Sequence, residues 1–138
     1  MARVVVIVDD NESLAVSLAI AFGRIPDVET VIAHEPAAAL RLFTDGHRQG
    51  KIAAIVTDFN LPHVNGFELI QQIRELEDYR TLPAIMITAA ESAVAANGYI
   101  LNTPNAIFRK PFSMKEVCRV LEGLLPENLA PGSVSPAD

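Results

Sequence analysis

Several short runs in this sequence are apolar at every position: Val4 to Val8, Ile52 to Val56, Ala84 to Ile87 and, briefer, Ala106 to Phe108. A strand with one wet face alternates apolar and polar residues. Unbroken runs of this length, rich in β-branched side chains, mark strands covered on both faces, the condition of a parallel sheet. Val28 to Ala33 (VETVIA) adds a more mixed strand. Parallel neighbours cannot be joined by hairpins, so helices must lie between them.

The helical periods are present. Leu14, Leu18, Ala21, Phe22 and Ile25 recur at three and four residues from Asn11 and stop before Pro26. Pro36 suits a first helical position, with Leu40 and Phe43 on one face and an end near Gly46. Asn65-x-x-Glu68 and Ser113-x-x-Glu116 are capping-box patterns. The first opens a face of Leu69, Ile70, Ile73 and Leu76, the second one of Val117, Val120, Leu121 and Leu124. Between Ala90 and Asn105 the breakers Asn97-Gly98 and Asn102-Thr103-Pro104-Asn105 predict a short or irregular helix. Five strands alternating with five helices give an α/β three-layer sandwich, because right-handed crossovers cover both sheet faces.

At 138 residues, half of them hydrophobic, the chain suits one domain with one core. The domain is expected over residues 1–125. From 126 to 138, three prolines, a glycine and two serines leave too little apolar matter to pack, so a flexible tail or truncated linker is expected. The longest weakly polar stretch, Leu14 to Phe22, is nine residues, far short of the roughly 20 needed to span a bilayer. The start has no signal-peptide pattern, and a cytoplasmic location follows as the default. One cysteine, Cys118, excludes an internal disulfide, and with three scattered histidines it makes no zinc spacing. Cys118 is read as a buried thiol on the last helix and His63 as a loop residue without a role. A net charge of −6 with dispersed bases argues against nucleic-acid binding.

Asp9-Asp10 follows the first strand, Asp58 the third, Thr88 the fourth and Lys110 the fifth. In a parallel sheet these carboxyl ends share one rim, where ligands of such folds bind. Crowded carboxylates repel, and a hard divalent cation of the magnesium type relieves them. With the cation present, one carboxylate can attack a phosphoryl group whose oxygens are then held by the ion, an ammonium and a hydroxyl. Asp58, Lys110 and Thr88 supply those parts. Singly, each has a plainer reading: a helix N-terminal acid, a surface lysine, a strand-end hydroxyl. Their ordered spacing outweighs it.

The chain resembles a response-regulator receiver domain of two-component signalling over residues 3 to about 125. The resemblance is carried by VIVDDNE, by IVTDFNLPHVNG with Pro62 and Gly66, by Thr88-Ala89 after AIMI, and by Lys110-Pro111-Phe112, spaced 30 and 22 residues from Asp58 to Thr88 and on to Lys110. It implies a flavodoxin-like sheet in the order 2-1-3-4-5. It implies that Asp58 is the phosphoacceptor and that Asp10 binds Mg2+, with Asp9 holding the ion directly or through water and Asn60 offering its backbone carbonyl. Thr88 would bond the phosphoryl oxygen and Lys110 would pair with it, oriented by a cis bond to Pro111. The phosphoryl donor would be a histidine kinase or a histidine phosphotransfer protein, and phosphorylation would change affinity for an output partner that the sequence does not identify.

One departure stands out. Where the family places an aromatic ring three residues before its lysine, this chain has Ile107, so the resemblance leaves open whether the usual switch or a smaller repacking operates. The outer face of the first helix, with Val16 and Ile20 among Ser13, Ser17 and Arg24, is more apolar than water requires and is read as a docking face for the donor or as tighter packing at home. Two other functions stay open. One is a phosphorylation-independent scaffold. The other is an aspartyl-phosphate phosphohydrolase, disfavoured because that class sets a second aspartate two residues past its nucleophile, where this chain has Asn60.

Overall fold

The computed structural model describes residues 2–45, 52–89 and 104–126. Their elements run β1 (Arg3–Val8), α1 (Glu12–Phe22), β2 (Val28–Ala33), α2 (Pro36–Thr44), β3 (Ile52–Asp58), α3 (Gly66–Arg74), a 3-10 turn (Glu77–Tyr79), β4 (Ala84–Thr88), β5 (Ala106–Arg109) and α4 (Met114–Leu124). The five strands form one parallel sheet in the order β2-β1-β3-β4-β5. Four α-helices, rather than the expected five, lie among the described residues. The irregular helix expected between Ala90 and Asn105 falls on 90–103, and nearly all of the expected tail on 127–138, both outside the described residues.

The two faces of the sheet account for the unbroken apolar runs. Val4, Val6 and Val8 point into one core with Ala39 and Phe43 of α2 and Phe67, Leu69, Ile70 and Ile73 of α3. Val5 and Ile7 point into the other, with Ala15, Leu18 and Phe22 of α1 and Val117 and Leu121 of α4. Side chains on successive strand residues alternate between these cores, so every position of β1 after Arg3 is buried. Each such side chain contributes about 1.5–3 kcal/mol relative to remaining in water.

Local chemistry sets the helix ends. Asn11 caps α1 by accepting from the Leu14 amide at 3.1 Å. At α3 the capping box closes in both directions: the Asn65 side chain accepts from the Glu68 amide at 2.9 Å, and the Glu68 carboxylate accepts from the Asn65 amide at 2.8 Å. At α4 only half of the expected box forms. The Ser113 hydroxyl accepts from the Glu116 amide, but the Glu116 carboxylate turns along the helix to Arg119. An arginine three residues on competes for the carboxylate, and an ion pair at that spacing faces it directly. The Lys110–Pro111 peptide is cis.

Three expectations about single residues change. Ile25 lies past the end of α1 and is buried in the second core from the turn that follows. Leu76 lies just past α3 and packs half-buried against the core from the loop. Cys118 is only half-buried, at the margin of the second core.

Candidate functional site

The register of the sheet brings the site together. Val8 pairs with Thr57, so Asp9 and Asp58 come next on adjacent strands. Asp58 pairs with Ile87, and Thr88 pairs with Arg109, which places Lys110 one step further along the same rim. Residues up to 101 positions apart in sequence thus meet because four parallel strands end level.

Asp9, Asp10 and Asp58 each offer a carboxylate oxygen, and these atoms all lie within 4.8 Å of one another. Asp9 is 2% and Asp58 7% exposed, whereas Asp10 faces solvent. The Asp9 carboxylate accepts from the Asn11 amide at 2.9 Å and that of Asp58 from the Asn60 amide at 3.3 Å. Lys110 Nζ stands 3.8 Å from Asp58 Oδ2. Burial raises the proton affinity of both Asp9 and Asp58 above the ordinary carboxylate range; the Lys110 ammonium opposes the rise at both, as does the Asn11 amide at Asp9. Lys110 therefore balances one negative charge of three. Hard oxygen donors in excess of their countercharge fit a divalent cation.

Thr88 is fully buried at the end of β4, and its carbonyl accepts from the Lys110 amide at 2.8 Å, which ties the lysine backbone to the rim. Asn60 is exposed, its amide already turned to Asp58. Gly66 has a steric role. A Cβ there would stand 2.6 Å from the Asp58 carbonyl oxygen and 2.9 Å from Met86 Cε, so the loop from Phe59 can close on β3 only without a side chain. The Gly66 amide completes the closure by donating to the Phe59 carbonyl at 2.9 Å. His63, in that loop, has a positive φ of 74° and lines a small apolar cleft with Pro36, Leu40 and Val64.

Ile107 is exposed on β5, while Phe108 beside it packs against the second core. Val16 and Ile20 on the outer face of α1 are 43% and 60% exposed.

One contact at the rim was not anticipated from sequence. His34, just past β2, brings its Nδ1 to 3.1 Å from the carbonyl oxygen of Asp9. The available signal was positional: His34 follows Ala33 as Asp9 follows Val8, and those two strand ends are paired.

The model of the response regulator receiver domain matches residues 5–122. The chain is 24% identical over 119 residues to a chemotaxis protein CheY homolog of Campylobacter jejuni, spanning 86% of this chain and 89% of that protein. It is 30% identical over 125 residues to the transcriptional regulatory protein TrcR of Mycobacterium tuberculosis, spanning 88% of this chain and 44% of the longer regulator. Among solved structures, a putative response regulator from Chloroflexus aurantiacus superposes with a TM-score of 0.76 at 24% identity, over 90% of this chain and 98% of that one.

Proposed function

The chain belongs to the response regulator receiver domain family, and from that premise we propose that residues 1–125 form a phosphoacceptor module in which Asp58 takes a phosphoryl group from a phosphohistidine of a sensor kinase or phosphotransfer protein. The observation that carries the reading is the meeting of three carboxylates within 4.8 Å with Lys110 Nζ at 3.8 Å from Asp58. Asp9, Asp10, Asp58 and the backbone carbonyl of Asn60 would hold Mg2+. Bound there, the ion supplies countercharge for the carboxylates and for incoming phosphoryl oxygens.

The chain's own groups supply the rest. One Asp58 oxygen accepts from the Asn60 amide, which leaves the oxygen on the Lys110 side as the nucleophile. In-line attack forms the Oδ–phosphorus bond as the phosphorus–nitrogen bond to the donor histidine breaks, and the electron pair returns to the imidazole. The Lys110 ammonium then pairs with a phosphoryl oxygen, and the Thr88 hydroxyl turns to another. Phosphorylation shifts the domain between states only by the difference in these contacts, commonly about 1–3 kcal/mol of coupling. With Ile107 in place of a ring, the switch is a repacking around Thr88 and β5.

The regulatory role makes this a switch and not a turnover enzyme. The exposed Val16 and Ile20 on α1 support docking of a donor's helices beside the rim. The test is intact-mass and peptide mass spectrometry after treatment with acetyl phosphate and magnesium. A single hydroxylamine-labile phosphate on Asp58, absent when magnesium is chelated, is the expected result. Magnesium-independent labelling, or labelling elsewhere, overturns the reading.

A further inference from the structure

The end of the ladder between β1 and β2 contains a link that the phosphoacceptor reading does not use. The last backbone bond runs from the Asp9 amide to the Ala33 carbonyl, at 3.1 Å. The chain then leaves the sheet to begin α2 at Pro36, and the His34 imidazole meets the Asp9 carbonyl oxygen, Nδ1 at 3.1 Å. A carbonyl oxygen only accepts, so the ring carries a proton on Nδ1.

That carbonyl belongs to the peptide joining Asp9 to Asp10. The two acids are held differently. The Asp9 carboxylate is buried and fixed by the Asn11 amide. Asp10 is exposed, and among the described residues no hydrogen bond holds its carboxylate. Rotation of the peptide between them would swing the Asp10 side chain away from Asp58, the direction in which like-charge repulsion pushes it. With the amide of Asp9 bound to Ala33 and its carbonyl bound to His34, both sides of the residue are anchored to the end of β2.

We propose that His34 is a positioning residue for the cation site: by donating from Nδ1 to the Asp9 carbonyl it fixes the Asp9–Asp10 peptide and holds the Asp10 carboxylate facing Asp58. The inference rests on the functional reading above. Groups that orient a metal ligand without touching the metal commonly govern about 10–100-fold of affinity, and a tether acting through one backbone carbonyl belongs at the lower end.

The test is calorimetric titration of the full chain with magnesium chloride, paired with thermal melts in chelator. His34→Ala and His34→Phe both remove the donor, the second keeping the bulk of a ring should the first fail to fold. His34→Gln retains an N–H at comparable reach. The expected result is magnesium binding weakened roughly tenfold in the two donor-less forms, recovery of most of that loss in His34→Gln, and melting temperatures in chelator that do not follow the affinities. Wild-type affinity in His34→Phe, or a loss in His34→Gln equal to that in His34→Ala, overturns the proposal while the phosphoacceptor reading stands. A wild-type chain that binds no magnesium overturns both.

Discussion

At the scale of single residues, the rim trades stability for charge. Asp9 and Asp58 hold their protons more tightly in the fold than the ordinary value of 3.8, because burial disfavours the ionised form more than Lys110 and nearby amides favour it. An acid whose folded-state pKa is raised contributes stability that is fully present below pH 3.8 and is lost as pH rises through the raised values. In chelator, Asp58→Asn is therefore expected to melt above wild type at neutral pH, by roughly 3–5 °C, with the gap closing toward pH 4. A gap independent of pH contradicts this account. Magnesium should narrow the same gap by raising the wild-type melting temperature, since a ligand of the native state adds RT ln(1 + [L]/Kd). Gly66 is the steric counterpart. Gly66→Ala places a methyl group against the Asp58 carbonyl, a backbone atom that cannot yield without moving β3. We expect a loss of about 1–3 kcal/mol in chemical denaturation, and slower phosphorylation if β3 shifts.

At the scale of elements, the two sides of α1 separate packing from exposure. Leu18 is 1% exposed in the second core, and Leu18→Ala should cost about 2–5 kcal/mol. Val16→Glu and Ile20→Glu, on the exposed side, should change stability by no more than about 0.5 kcal/mol and leave labelling by acetyl phosphate intact. Equal losses on both sides would mean that α1 is enclosed by something beyond the described residues. The caps differ in the same way. Asn65→Ala breaks a box whose two bonds are both made and should cost about 1 kcal/mol or more, whereas Ser113→Ala removes one bond and leaves Glu116 with Arg119.

At the scale of the whole molecule, Arg3 joins three distant parts of the chain. Its guanidinium donates to the Pro26 carbonyl after α1 at 2.7 Å and to the Pro126 carbonyl after α4 at 2.8 Å, so the start of β1 fastens the ends of both helices on one face. The amide of Arg3 adds a bond to the Asp27 carbonyl. Lysine has no planar fork to reach two carbonyls at once. Arg3→Lys is expected to lower stability by about 1–2 kcal/mol, read in urea, with the slope of the transition unchanged. At the opposite end of the same strand stands Asp9, so β1 ties a structural clasp at one edge of the sheet to the charged rim at the other.

The fold and most of the rim were legible from sequence because their signals are local. Unbroken β-branched runs mark doubly covered strands, periods of three and four mark helices, and a carboxylate or hydroxyl closing the first, third and fourth strands marks their ends. Ala84–Thr88 was bounded correctly for this reason. What the sequence could not supply depends on register and on competition. Ser113-x-x-Glu116 reads the same as Asn65-x-x-Glu68, yet Arg119 takes one glutamate while, among the described residues, no cation takes the other. His34 was one of three scattered histidines with no place assigned to it, until the pairing of Ala33 with Val8 set its ring against the Asp9 carbonyl. Composition and periodicity determined which segments would be strands and helices and which residues would end them, since those depend on each segment's own solvation. Only the tertiary structure decided which of those ends would touch, because the distance between two charges is set by how neighbouring strands align and not by anything either strand contains.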